Sequence, residues 1–374
     1  MAGVVLVGSN AFILSPILSV VAISLDSTPL QIAWAISSFG AATALSALFL
    51  APVSDVYGAR WTLAGASLLL GLGQLICLAS THWVQLCLGQ GVAGLAVGIL
   101  LPGIYATAMA TAAPGQEASR LGFVLTGWAL SLVAAVPISA AITEYLGWRP
   151  VYGGLAFICF LVAASFVGSI PGDLPRSGKR TNPYRALRLP GVAFLLCIVL
   201  GYMSAFYGCY AFFGEGLRVS LDLSATEAGL FVLVYGAGFG LAGLYIARFS
   251  PKLGRAYLAL VLVAIGIDYF AWNLAIQSVP AALGVTFLWG VLNQFAVNAL
   301  IVLLNKQAAN ARAAVLGLNS AVTYGSVFIG PFILGPVFQS FGFSAVATFA
   351  GIAVFVSAIA FFVGGKFLFP EHAT

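Results

Sequence analysis

A few polar side chains lie inside long apolar stretches of this chain, and these are the residues that could bind a solute or react. Gln294 and Asn298 are four positions apart, so both amides lie on one face of a helix, with Asn293 beside them. Asn319 and Tyr324 occupy the next stretch. Unpaired amides are costly in lipid, so this face is expected to point inward. It would line a binding site or form hydrogen bonds between helices.

Asp268 is the only ionisable residue near the middle of an apolar stretch. A carboxylate at the bilayer centre is costly, and no Lys or Arg lies within the stretches to compensate it. Desolvation therefore favours the neutral acid. It could donate a structural hydrogen bond or, where water reaches it, exchange a proton. Tyr207 and Tyr210 could form the aromatic wall of a site, although ordinary packing explains them equally well.

These polar residues stand out because the rest of the chain is strongly apolar. Of its 374 residues, 61% are hydrophobic and 7% are charged, whereas soluble domains have about 25% charged residues. An ordinary soluble protein is therefore excluded. The five cysteines form no CxxC pair and have no neighbouring His, which indicates neither disulfides nor a metal site. His82 and His372 fall in a loop and the tail, so an intramembrane enzyme is a distant alternative.

The uncharged gaps predict an all-α membrane protein with twelve spans. A transmembrane helix needs about 20 apolar residues. Six gaps are long enough for one span each, and three are long enough for two. Asp268 is the one charged residue inside a gap, the one from 256 to 305. The single gaps are 1–25, 27–54, 121–143, 150–172, 189–214 and 228–247, and the double gaps are 61–116, 256–305 and 313–365.

Lysine and arginine are distributed unevenly between the two sides of these spans. Thirteen of the 15 lie after even-numbered spans or in the tail, whereas Arg149 and Arg218 lie on the opposite side. Because basic residues favour the cytoplasm, both termini are expected there. The cluster from Arg176 to Arg188 lies in a hydrophilic linker, 171–189, and is expected to face anionic lipid headgroups. Nucleic-acid binding is the less favoured interpretation.

The sequence also repeats itself at about half its length. Residues 54–60 follow the second span, and residues 250–255 follow the eighth, 196 positions later. Both are short turns that carry Gly and Arg. The repeat predicts two six-helix bundles, 1–170 and 190–374, joined by the basic linker. Parallel repeats of this kind suit a carrier whose halves rock about a site near the bilayer midplane.

The turn from Ala51 to Arg60 follows the pattern G-x-L-A-D-R-x-G-R-R in degenerate form and keeps Asp55, Gly58 and Arg60. With this turn as its most specific element, the chain resembles the major facilitator superfamily, and within it the twelve-helix drug:proton antiporters that include arabinose-efflux-type permeases. The resemblance covers the whole chain. Three further stretches are similar to family segments: Gly8 to Pro16, Val124 to Pro137 and Gly147 to Pro150.

The resemblance implies a conformational gate and a kinked fifth helix. At a helix end, Asp55 can pair with a cation or cap a helix and so hold one conformation closed, with Arg60 as its companion. Gly58 would allow the tight turn. Pro137 lies among small residues, where it can kink the helix and permit close helix approach. The corresponding family motif is associated with exporters, although alanine replaces most of its glycines here.

Two departures from the family pattern concern the coupling charges. Asn10 stands where helix one usually carries an acid, and Cys87 stands where helix four usually carries an arginine, followed by Gln90. Asn10 and Gln90 are expected to line the cavity. An amide can hydrogen-bond a solute, but it cannot take up and release a proton near neutral pH.

These observations favour a secondary active transporter of a small organic or drug-like solute, working by alternating access and most consistent with proton-coupled efflux. It is expected to act as a monomer in a bacterial inner membrane, without a cofactor or a nucleic-acid partner. An uncoupled facilitator or uptake carrier is the first alternative. A transport-inactive receptor or assembly factor is the second. The GxGxxG match at 238–243 lies inside a predicted helix with no preceding strand, so it does not indicate dinucleotide binding.

Overall fold

The computed structural model describes residues 1–50, 57–113, 116–170, 187–249, 255–307 and 312–368. Within these ranges the chain is helical and contains no strand. The helices are α1 (Ala2–Phe12), α2 (Leu18–Ser24), α3 (Pro29–Phe49), α4 (Ala59–Leu78), α5 (Trp83–Ala110), α6 (Glu117–Leu130), a π-helical turn (Ser131–Ala135), α7 (Val136–Leu146), α8 (Arg149–Ser169), α9 (Val192–Leu221), α10 (Ala225–Phe249), α11 (Arg255–Ala275), α12 (Val279–Gln307) and α13 (Arg312–Leu368).

Ten helical segments of the described chain are long and apolar enough to cross a membrane. The first predicted span is divided between α1 and α2. Helix α13 runs through two predicted spans, and Gly342, with φ 76°, interrupts its helical backbone. At 1.5 Å per residue a straight helix of this length would be about 85 Å long. Gly342 therefore separates two arms, 312–341 and 343–368. The twelve-span topology stays a prediction.

The π-helical turn lies in the predicted fifth span, just before Pro137. Pro137 has no backbone N–H, so the regular hydrogen-bond ladder cannot pass through it. The turn at Ser131–Ala135 is wider than an α-helix and lies where that ladder is lost. Pro137 also packs against α10, because its Cα would lie 3.3 Å from a Cβ placed on Gly229. The same Cβ would lie 2.7 Å from the Ala140 Cβ, so a larger residue at 229 would force α7 and α10 apart.

Two arginines show which helix ends lie together. Arg149 donates to the Ser80 carbonyl at 2.8 Å and to the Ser24 hydroxyl at 3.3 Å. These contacts bring the ends of α2, α4 and α8 together on one side, here called the far side. Arg60 donates to the Ile170 carbonyl at 2.6 Å on the other side, here called the basic side. The predicted cytoplasmic face is the basic side.

Hydrogen bonds join residues 1–170 to residues 187–368 at the far side and near the middle. Ser15 Oγ donates to the Tyr210 carbonyl at 2.6 Å and accepts from the Gly214 N–H at 3.2 Å. Arg218 donates to Ser19 nearby. We call these five residues the far-side latch.

Two further contacts extend this junction. Glu144 accepts from the Thr226 N–H at 2.7 Å, and Ser37 donates to the Phe328 carbonyl at 3.2 Å. The described conformation is therefore closed at the far side.

Candidate functional site

Aromatic side chains from both groups of helices meet near the middle of the bundle. Trp128 Nε1 donates to the Tyr105 hydroxyl at 2.9 Å, which links α6 to α5. The Phe12 ring lies edge-on to Trp128, with ring centroids 6.1 Å apart, and edge-on to Tyr210, with centroids 4.9 Å apart. Phe12 therefore connects the first group of helices to α9 of the second.

Tyr207 and Tyr324 complete this central aromatic site. Phe206 of α9 packs against Tyr207 and Tyr210, with ring centroids 4.9 and 5.8 Å apart. The Phe39 ring of α3 lies 6.2 Å from the Tyr324 ring, edge-on. Tyr105 and Tyr207 are only half-buried although they lie deep in apolar helices. The site therefore presents phenol hydroxyls and ring surfaces but no formal charge. The lysines and arginines of the described residues lie at helix ends or in loops.

Asn10 and Gln90 belong to a network of buried amides. The Asn10 amide nitrogen donates to Gln90 Oε1 at 3.0 Å, and Asn10 Oδ1 accepts from Gln74 at 3.0 Å and from Gln90 at 3.2 Å. Gln90 also reaches the Tyr152 hydroxyl at 3.4 Å. The network joins α1, α4, α5 and α8. For Asn10 and Gln90, this arrangement favours a role in hydrogen bonds between helices.

We expect Asn10→Leu to lower stability, because it leaves the amide groups of Gln74 and Gln90 buried with fewer partners. The cost should be about 1–3 kcal/mol. Thermal unfolding of the purified protein measures it. Asn298→Leu is the matched control, since Asn298 is half-buried and has no hydrogen-bond partner among the described residues. An equal effect of the two substitutions would contradict a structural role for the network.

Asn293 has a comparable role in the second group of helices. Tyr202 donates its hydroxyl proton to Asn293 Oδ1 at 2.6 Å, and the Asn293 amide nitrogen donates to the Tyr235 hydroxyl at 3.2 Å. All three side chains are buried. The Tyr235 ring lies edge-on to that of Tyr210, with ring centroids 6.2 Å apart, so Asn293 holds its two phenols in fixed orientations beside the central aromatic site.

The remaining predicted cavity amides are not brought into one cluster. Gln294, Asn298 and Asn319 are all half-buried. Gln294 Oε1 is buried without a hydrogen-bond partner, while its amide nitrogen lies 3.1 Å from a Cβ placed on Gly243. A lining role for these three residues stays a prediction.

The predicted gate is described only in part. Asp55 lies outside the described residues. Gly58 has φ 80° just before α4, a conformation that favours glycine. Arg60 binds the carbonyl of Ile170, so it ties α4 to the end of α8 on the basic side. The pairing of Arg60 with Asp55 stays a prediction.

Asp268 is one of two buried acids among the described residues. Glu215 has the Arg218 guanidinium at 3.6 Å, on the far side. Asp268 is 2% exposed, and neither of its carboxyl oxygens has a hydrogen-bond partner within the described part of the chain. One turn further along α11, Trp272 packs edge-on against Phe213 and Phe343. The structural hydrogen bond considered from the sequence is therefore not found among the described residues.

Several of these residues escaped sequence analysis. Gln74 carries the same signal as Asn10, an amide inside an apolar stretch, and could have been found. Tyr105, Trp128 and Tyr235 have no distinguishing signal, because an aromatic residue in an apolar helix is usually a packing residue. Their roles follow from which helices are adjacent.

An all-helical membrane bundle whose two groups of helices meet at an uncharged centre has the architecture of a secondary carrier. The chain belongs to the Major Facilitator Superfamily, whose family profile matches residues 1–331. It is a membrane transporter and not an enzyme, and its fold confirms the resemblance found in the sequence.

The chain is similar to bacterial transporters along most of its length. It is 26% identical to the uncharacterized MFS-type transporter YwfA of Bacillus subtilis over 357 residues, 92% of this chain and 85% of the relative. It is 24% identical to the purine ribonucleoside efflux pump NepI of Escherichia coli over 256 residues, 66% of this chain and 62% of the relative. These relatives agree with the predicted location in a bacterial inner membrane.

Solved transporter structures share the fold. A mutant of the nucleoside transporter NupG matches with a TM-score of 0.76 and 15% identity, over 96% of this chain and 98% of the other. A bacterial homolog of the human lysosomal transporter Spinster, in an inward-facing and unoccupied conformation, matches with a TM-score of 0.75 and 14% identity, over 100% of this chain and 96% of the other.

Proposed function

We propose that the protein exports a small, uncharged aromatic solute in exchange for protons. The observation that carries the proposal is the central aromatic site, to which both groups of helices contribute phenols and rings but no charge. Planar solutes stack on such rings, and phenol hydroxyls can donate to or accept from their polar edges. A strongly anionic solute would meet no cation there.

Purine ribonucleosides are the solute class that we favour. They are planar, uncharged near neutral pH and rich in hydrogen-bonding groups, which suits a site of tyrosines and one indole. The relative NepI, a purine ribonucleoside efflux pump, supports this choice. Nucleoside monophosphates carry the same ring with added negative charge, so they form a natural negative control.

Alternating access would then proceed between a conformation closed at the far side and one closed at the basic side. If the far side is outside the cell, as the arginine distribution predicts, the far-side latch closes the outer entrance. Asp268 would carry the exchanged proton, because a neutral buried acid can be deprotonated when a conformational change admits water.

Proteoliposomes test the proposal directly. Uptake of a tritiated purine ribonucleoside should depend on a pH gradient, and the corresponding unlabelled nucleoside should compete whereas its monophosphate should not. Equal competition by the monophosphate would contradict the uncharged site. Absence of any nucleoside transport or binding would reject this solute class.

An uncoupled facilitator is the second candidate, favoured by Asn10 and Cys87 in place of the usual charged residues. It predicts exchange of the nucleoside that equilibrates but never accumulates when a pH gradient is applied. A transport-inactive receptor predicts binding without exchange. The same assay therefore separates all three functions.

Asp55→Asn should lower turnover more than it lowers substrate affinity. The carboxylate is expected to stabilise one closed conformation rather than to contact the solute. Initial transport rates of the purine ribonucleoside measure turnover, and its equilibrium binding to the same preparation measures affinity. Equal losses in both, or none in either, would show that the turn is not a gate of this kind.

A further inference from the structure

Ser15 lies in the break between α1 and α2, which the structure describes as a turn from Ile13 to Ile17. Pro16 follows it, and because proline has no backbone N–H, the helical hydrogen-bond ladder is interrupted there. The Ser15 side chain is 1% exposed and faces α9. The break therefore places a hydroxyl of the first group of helices against a helix of the second.

The Ser15 hydroxyl contacts two backbone groups of α9 that a regular α-helix pairs with each other. It donates to the Tyr210 carbonyl at 2.6 Å and accepts from the Gly214 N–H at 3.2 Å. In an α-helix the N–H of each residue donates to the carbonyl four positions earlier. Gly214 permits this close approach, because a Cβ there would lie 2.5 Å from Pro16 Cα. A side chain of one group of helices is thus bound within the backbone ladder of the other.

This contact can break without leaving a buried backbone group unpaired. An unpaired buried carbonyl or N–H is costly, so a backbone contact between two groups of helices is normally expensive to lose. Here the Tyr210 carbonyl and the Gly214 N–H can bond to each other once the hydroxyl withdraws. A side chain inserted into the ladder also bends a helix, so its withdrawal would let α9 straighten.

The side chain of Tyr210 belongs to the central aromatic site. Its ring lies edge-on to that of Phe12, with ring centroids 4.9 Å apart, and Phe12 is three residues before Ser15. One short segment of the first group of helices therefore holds both the carbonyl and the ring of Tyr210. In the described part of the chain the buried Tyr210 hydroxyl has no hydrogen-bond partner, so a solute that reached it would satisfy it.

We propose that Ser15 is a positioning residue that couples occupancy of the central aromatic site to closure of the far side. While Ser15 is bonded into α9, the Tyr210 ring stands against Phe12 and the far side is closed. Rings with centroids 4.9 Å apart are already in contact, so an aromatic solute that stacks on Tyr210 must displace the Phe12 edge. Helix α9 then moves away from Ser15, the freed backbone groups pair with each other, and the far side opens.

This inference rests on the proposed export of an aromatic solute, and it names the contact through which that solute opens the far side. It also explains why the hydroxyl binds backbone rather than a side chain. The backbone of α9 moves with the ring that it carries, so a displacement of the Tyr210 ring is transmitted to its carbonyl.

The reactivity of a cysteine at position 37 tests the coupling first without any solute. Ser37 is buried at the junction, where its hydroxyl donates to the Phe328 carbonyl at 3.2 Å. The full-length protein is used in a background with the exposed Cys197 replaced by serine. Ser15→Ala should raise the rate at which Ser37→Cys reacts with an impermeant maleimide about fivefold, the effect of losing one ordinary hydrogen bond.

Ser46→Ala is the matched control. Ser46 is also 1% exposed, and its hydroxyl donates to the Leu95 carbonyl at 2.6 Å, but both residues belong to the first group of helices. A hydroxyl with a purely structural role lowers the unfolding temperature without changing this reactivity, so Ser46→Ala should react like the wild type. Equal reactivity in the two variants would overturn the proposal. If thermal unfolding shows that Ser15→Ala has lost its fold, Ser15→Gly removes the same hydroxyl and decides.

Binding of a purine ribonucleoside supplies the second readout, because coupling between two sites is reciprocal. The nucleoside should raise the reactivity of Ser37→Cys, and Ser15→Ala should lower the Kd of the nucleoside about fivefold, the factor by which it favours opening. A nucleoside that binds with the same Kd to Ser15→Ala and the wild type would overturn the coupling. If no nucleoside binds while Ser15→Ala still raises the reactivity, the proposed solute class fails and the role of Ser15 in far-side closure stands.

Discussion

Asp268→Asn should abolish accumulation of a purine ribonucleoside driven by a pH gradient, while exchange of the nucleoside across the membrane continues. Asn has nearly the shape of Asp but cannot bind and release a proton. With one proton exchanged per solute, a gradient of about 2 pH units could sustain roughly hundredfold accumulation, at about 1.4 kcal/mol for each factor of ten. In the variant the accumulation ratio should fall to about one.

Glu227→Gln is the control for removal of a carboxylate. Glu227 lies at the exposed start of α10, where it accepts from the Ser224 N–H at 2.8 Å, and Gln can still accept there. This variant should accumulate the nucleoside like the wild type. Retained accumulation in well-folded Asp268→Asn would eliminate Asp268 as the proton carrier.

Gly214→Val should prevent the far side from closing. A Cβ at this position would lie 2.5 Å from Pro16 Cα and 2.6 Å from the Ser15 carbonyl oxygen, and neither backbone atom can rotate away. Overpacking of this kind costs about 1–3 kcal/mol, so the closed state and the turnover that depends on it should fall roughly tenfold to hundredfold.

Accessibility of Ser37, which is 3% exposed against α13, reports on this closure. In a background with the exposed Cys197 replaced by serine, Ser37→Cys should react with an impermeant maleimide faster when Gly214→Val is present. Gly325→Val is the control, since a Cβ at Gly325 has no atom within 4 Å. Normal turnover in Gly214→Val would show that the latch need not close.

The sequence alone determined that the chain is a membrane transporter and where most of its helices lie. Burial in lipid depends on the composition of each segment, so uncharged gaps locate helices before any packing is known. Gly342, for example, interrupts the helical backbone inside the gap 313–365, which is predicted to hold two spans. The cost of a carboxylate in lipid likewise singled out Asp268, which the structure places in the interior.

Tertiary structure alone decided which polar residues are partners. The sequence shows that Asn10, Gln74 and Gln90 are amides in apolar helices, but only the rotation and adjacency of α1, α4 and α5 bring them together. The same holds for the bond between Trp128 and Tyr105 and for the far-side latch. Helix formation in lipid is a local property, whereas these contacts join residues from 23 to 199 positions apart. Their partners are set by the packing of the whole bundle.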